Sequence, residues 1–191
     1  IARTLIDAFS HCESDETKQH FIDIILARQN FINAMIHAFY EMPRICANFI
    51  MKFLAAGPNQ ETLDNILAGL ERSQSVACIA ETMNCLLMTR YDFDNRKIRP
   101  LIMSHVQEPI SFGQHGFMTR LRGLKLLRKF MLGEEERDGQ TISALQAFYK
   151  EGKNAELRAM TKNLLKDLGE EIFDFDDEED DFEDLNDERD E

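Results

Sequence analysis

The chain has no tryptophan, three tyrosines and four prolines in 191 residues. It also lacks any apolar run near the ~18–20 residues that a membrane-spanning helix needs, so no membrane contact is expected. Its four cysteines, Cys12, Cys46, Cys78 and Cys85, contain no CxxC pair, which removes the usual zinc and redox patterns. Cys46, Cys78 and Cys85 fall within apolar helical patterns, where a free thiol behaves as a small hydrophobe. Cys78 and Cys85 would share a helix face, and core packing is the simpler expectation there than metal ligation. A reducing intracellular setting, cytoplasmic or nuclear, follows as an expectation, and the absence of any N-x-S/T sequon agrees with it.

Catalytic patterns are missing as well. There is no GxGxxG and no GxxxxGK[ST], so no nucleotide loop is expected. His11, His20, His37, His105 and His115 are scattered without HxxxH or HExxH spacing. His115 lies between Gly113 and Gly116, a segment that reads as a flexible connector rather than a phosphate nest. Asp174, Asp176 and Glu178 begin like a calcium loop, but Glu179 stands where the sharp-turn glycine is required. No Ser, Cys or Thr nucleophile has a histidine at a recognised spacing. The expectation is therefore a non-enzymatic chain with no catalytic residue, no cofactor and no metal.

Charge is distributed unevenly. The formal net charge is −13, yet 15 of the 35 acids lie in residues 170–191, together with a single Arg. The other 169 residues carry 20 acids against 21 Lys and Arg, close to neutrality. Two units follow: a folded body over residues 1–169 and an acidic-aromatic tail over 170–191, expected to be disordered because a block of like charge cannot pack against itself. The tail holds no Ser, Thr, Tyr or Lys, so phosphorylation has no acceptor within it. Phe175, Phe182 and Leu185 are interleaved with its acids, and Phe182 and Leu185 stand three apart, as on one helical face. The chain begins at Ile1 without Met, inside a helix-like pattern, and reads as a fragment of a longer protein.

Within the body, period-3.6 hydrophobicity predicts about ten helices and almost no strand. They fall near residues 1–11, 15–28, 30–41, 43–56, 60–70, 75–87, 96–106, 117–132, 141–149 and 154–168. Ser14, Asn59 or Gln60, Ser73 or Ser75, and Asn154 supply starts, Pro43 fits a first turn, and Gly57-Pro58, Gly133 and Gly169 supply stops. Residues 108–116, with Pro109, Gly113 and Gly116, form the longest expected loop. Along 117–132 the apolar positions span about 220° of the helical wheel, so neighbours should cover that helix on two sides. Layered helical pairs of this kind suit an α-solenoid, with an irregular helical bundle as the alternative.

A family resemblance points the same way. Residues 154–168, NAELRAMTKNLLKDL, place a polar cap before an apolar residue and Arg158, followed by small and Leu positions. They resemble the last helix of an armadillo or HEAT repeat, and residues 75–87 resemble it more loosely. The resemblance implies an all-α fold, a right-handed α-α superhelix of about ten helices, and a role as a protein-binding scaffold.

Two basic groups stand out in the body. Arg122, Lys125 and Lys129 fall on the arc of the 117–132 helix that the apolar residues leave open, and Arg96, Lys97 and Arg99 open the preceding helix. They read as a docking surface for an acidic partner or for the chain's own tail, or else as solvated faces. Candidate partner-binding residues are thus Arg122, Lys125, Lys129, Phe175, Phe182 and Leu185. The expected role is a protein-protein interaction scaffold or adaptor whose helical surface and acidic tail bind basic protein partners. Nucleic acid is not expected, because the body is near neutral and the tail repels phosphate. The alternative is a C-terminal regulatory domain, as in a GTPase regulator or ubiquitin-ligase subunit, with the activity N-terminal to this segment.

Overall fold

The computed structural model describes residues 2–55, 57–72, 75–88, 93–108, 113–132 and 138–172. Among them lie ten α-helices and no strand: α1 (Ala2–Ser10), α2 (Asp15–Leu26), α3 (Gln29–Glu41), α4 (Pro43–Ala55), α5 (Gln60–Arg72), α6 (Val76–Met88), α7 (Arg99–Gln107), α8 (Gln114–Met131), α9 (Gly139–Glu151) and α10 (Ala155–Asp167). Ser73, Pro109, Gly133 and the tail positions Phe175, Phe182 and Leu185 lie outside the described residues.

Local chemistry sets the boundaries. The side chains of Ser14, Asn59, Ser75, Asp138 and Asn154 each accept the backbone N–H three residues on, at 2.8–3.4 Å, which satisfies a donor that the first helical turn leaves open. At the other ends Gly57 (φ 74°) follows α4 and Gly169 (φ 78°) follows α10, both in the left-handed region that favours glycine. After Gly169 the Glu170 N–H returns to the Leu165 carbonyl at 3.0 Å, which turns the chain back toward α9.

Three boundaries differ from the sequence expectation. Gly113 (φ 82°) turns the chain into α8 at Gln114, so His115 and Gly116 lie in the helix's first turn, with Gly116 buried, and not in a connector. Residues 96–98 form a turn, and α7 proper starts at Arg99. The Asp138 cap starts α9 at Gly139, two residues before Thr141.

Packing joins helices that are close in sequence. Contacts run α1–α3, α3–α5, α5–α7 and α7–α9 along one row, and α2–α4, α4–α6, α6–α8 and α8–α10 along another. The pairs α3–α4, α5–α6, α7–α8 and α9–α10 tie the rows together. One continuous core results, from Ile22 and Phe49 at one end to Leu157 and Leu165 at the other. The wide apolar arc of α8 is explained by its neighbours, since α6, α7 and α10 all pack on it. Two glycines sit where a neighbouring helix leaves no room for a side chain. A Cβ on Gly123 of α8 would lie 2.6 Å from Val106 Cγ2 of α7, and one on Gly69 of α5 would lie 2.9 Å from Thr82 Oγ1 of α6. No helix among the described residues is long and apolar enough to cross a membrane.

Candidate functional site

Arg99 of α7 and Arg120, Arg122 and Lys129 of α8 reach across to neighbouring segments. Lys129 donates from Nζ to the carbonyls of Leu86 (2.7 Å) and Leu87 (3.1 Å), closing the C-terminal end of α6, where carbonyls lack helical partners and the dipole favours a cation. Desolvation holds its ammonium below the usual lysine pKa. Arg120 does the same for α7, reaching the carbonyls of Val106 (2.9 Å) and Gln107 (3.1 Å). Arg122 bonds Glu81 of α6 at 3.1 Å. Of the three candidates on α8, Lys125 and Lys129 are exposed, and Lys125 makes no hydrogen bond or ion pair with a described residue.

Arg99 corrects the second basic group. Its side chain is 1% exposed, with Nε on Asn95 Oδ1 (2.7 Å), Nη2 on the Phe130 carbonyl (3.1 Å) and Nη1 3.6 Å from Asp138. Such a guanidinium fork binds three segments at once and offers nothing to a partner. Burial works against the Asp138 charge, but donation from the Thr141 N–H and hydroxyl, together with Arg99, holds its carboxyl below the usual value. His105, also buried, donates from Nε2 to the Leu70 carbonyl at 2.8 Å and ties α7 to the end of α5.

Open space lies instead between α5 and α7. A groove of about 640 Å³ runs there. Its α5 wall is the stripe Gln60, Asp64, Leu67, Ala68 and Glu71, which recurs about once per helical turn, and its α7 side is Phe93, Asp94, Lys97, Ile98 and Leu101. Leu67, Ala68, Phe93 and Leu101 are half-buried along the floor, while Asp64, Glu71, Asp94 and Lys97 are exposed at the rim. The Asp94 carboxyl is held below its usual pKa by the Arg96 N–H (3.2 Å) and guanidinium (3.3 Å). Phe93 is fixed by an edge-on contact with Phe130, with centroids 5.7 Å apart. A second cleft, about 520 Å³, lies where α7 ends and α9 meets α10, lined by Arg120, Lys153, Glu108 and Glu151 around Phe148.

The groove was not among the sequence-predicted sites. Its α5 stripe mixes acids with Leu67 and Ala68, which in a sequence looks like the shoulder of an ordinary amphipathic helix. The signal available was the i, i+4, i+7, i+11 spacing of Gln60, Asp64, Leu67 and Glu71, which becomes informative only once α7 is known to lie alongside. Among the described residues no three His, Cys, Asp or Glu side chains gather as a metal site would require. No family model, no curated protein and no solved structure matches this chain.

Proposed function

We propose that the chain is a non-enzymatic interaction scaffold whose helices form an armadillo/HEAT-like α-α superhelix and whose partners are basic proteins. Support for the superhelix comes from the two rows of helices, each in contact with the next-but-one helix in sequence, which is how a solenoid buries its repeats. A groove between neighbouring helices of one row is then the natural docking place for a polypeptide.

One observation carries the choice of partner. Arg99, Arg120, Arg122 and Lys129 are engaged by carbonyls or carboxylates of neighbouring helices, so these four cations of the near-neutral body serve the array itself. Exposed acids and exposed Lys and Arg are nearly balanced among the described residues of the body, and the excess of negative charge comes from the 15 acids of the last 22 residues. Such a surface attracts a basic protein at long range and repels nucleic acid and anionic lipid. Phe175, Phe182 and Leu185 add apolar grip to the charge of the tail.

The test is a titration of the whole chain with a fluorescently labelled lysine-rich protein at two salt concentrations. Binding should weaken about tenfold or more between low and physiological salt, because screening shortens the reach of exposed charges. It should weaken again when Phe175 and Phe182 become Ala. Salt-independent binding, or equal binding of an acidic protein, would refute the proposal.

A further inference from the structure

We infer that the α5–α7 groove receives a short basic amphipathic helix of a protein partner. In that complex apolar side chains of the incoming helix rest on Leu67, Ala68, Phe93 and Leu101, and its Lys or Arg residues meet Asp64 and Asp94. The inference depends on the basic-partner proposal above and adds the place and conformation of binding.

Shape comes first. From Gln60 to Glu71 the α5 wall rises about 16 Å, the length of three helical turns. The floor is apolar in its middle and charged at its edges, which matches a helix carrying apolar residues at i, i+3 or i+4, and i+7 with polar flanks. An extended peptide fits less well. Its backbone N–H and C=O groups need partners, and Gln60 is the one amide side chain among the described lining residues. A helix arrives with its backbone already satisfied.

Charge selects the sign of the partner. Asp64, Glu71 and Asp94 stand against Lys97 and against Arg96, whose guanidinium is 3.3 Å from Asp94, so three carboxylates face two cations and the rim is negative by one charge. Asp94 stays ionised under the influence of Arg96. The second cleft provides the contrast, because Arg120 and Lys153 there balance Glu108 and Glu151, and it favours neither sign.

The groove is also preformed. Leu63 and Ile98 beneath it are fully packed, Phe93 is braced on Phe130, and the His105–Leu70 hydrogen bond holds the two walls together at one end. A rigid floor avoids the ordering cost that a collapsing surface incurs on binding.

The probe is a labelled peptide of about four helical turns, with Leu at i, i+4 and i+7 and Lys elsewhere, titrated into the whole chain by fluorescence anisotropy. Ala68→Arg places bulk and like charge on the floor and should weaken binding about tenfold or more. The double variant D64K/D94K alters exposed positions only. It should lose the Lys/Leu peptide and gain a Glu/Leu peptide of the same register. A tail variant, Phe175→Ala with Phe182→Ala, should shift wild type and A68R by the same factor.

Unchanged affinity in both groove variants overturns the inference. If the tail variant abolishes binding at the same time, the basic-partner proposal survives without the groove. If wild type binds neither peptide, both fail. Should A68R lose its helical circular dichroism, D64K/D94K decides alone.

Discussion

The Arg99 guanidinium lies 3.6 Å from the Asp138 carboxylate and is 1% exposed, joining the start of α7 to the cap of α9. Its Nη2 also holds the Phe130 carbonyl near the end of α8. Replacing Arg99 with Leu leaves Asp138 facing an apolar side chain and should cost about 3–5 kcal/mol, the range for breaking a buried pair from one side. Arg99→Lys keeps the charge but loses the fork, and should fall between the two. Urea unfolding followed by circular dichroism measures both; a loss under about 1 kcal/mol for Arg99→Leu would mean that the clamp does not hold the helices.

Asp138 gives the same junction a pH dependence. Its folded pKa lies below the unfolded value, so the native state favours the ionised carboxylate. Its contribution to stability is therefore fully present above the unfolded pKa and disappears as pH falls through the folded one. Asp138→Asn should flatten the part of the melting-temperature profile below about pH 4, while leaving a constant loss above it. Parallel profiles for the two proteins would contradict the assignment.

Gly123 faces Val106 and Ile102 across the contact of α7 and α8. A methyl group there meets Val106 Cγ2 at 2.6 Å, so the Val106 side chain or one of the two helices has to shift. Gly123→Ala should destabilise the chain by about 1–3 kcal/mol, although alanine is the better helix former by about 1 kcal/mol. A stabilised variant would show that the helices are farther apart.

The thiols report on the core without mutation. Burial pushes Cys46 up to about 11 and Cys85 to about 12, and Cys78 is fully buried beside them. Cys12 is the half-exposed one. A thiol-specific chromogenic reagent at neutral pH should therefore label Cys12 alone in the native state and all four thiols in denaturant, because the thiolate is the reactive form. Fast labelling of a second native thiol would place part of the core in contact with solvent.

What the sequence conveyed depended on the range of the interaction. Ser14, Asn59 and Asn154 cap within three residues and Gly57 and Gly169 stop within one or two, so local chemistry was enough to locate these helix ends. Gly116 was misassigned to a loop because the glycine that makes the turn is Gly113. The basic groups were legible as groups but not in direction. Lys129 reaches Leu86 and Leu87, more than 40 residues away, and Arg99 reaches Phe130 and Asp138. A long cationic side chain looks the same in sequence whether its head meets water or a carbonyl. The groove was hidden for a related reason, since its two walls are about 30 residues apart and neither is unusual alone.

The central claim is that the charge offered outward by this helical array and its tail selects a basic polypeptide. Isothermal titration of the whole chain with two peptides of one register tests it most directly, one carrying Lys and Leu, the other Glu and Leu. Heat and saturation with the lysine peptide, and none with the glutamate peptide, is the predicted result; saturation by the glutamate peptide, or by both alike, would contradict it.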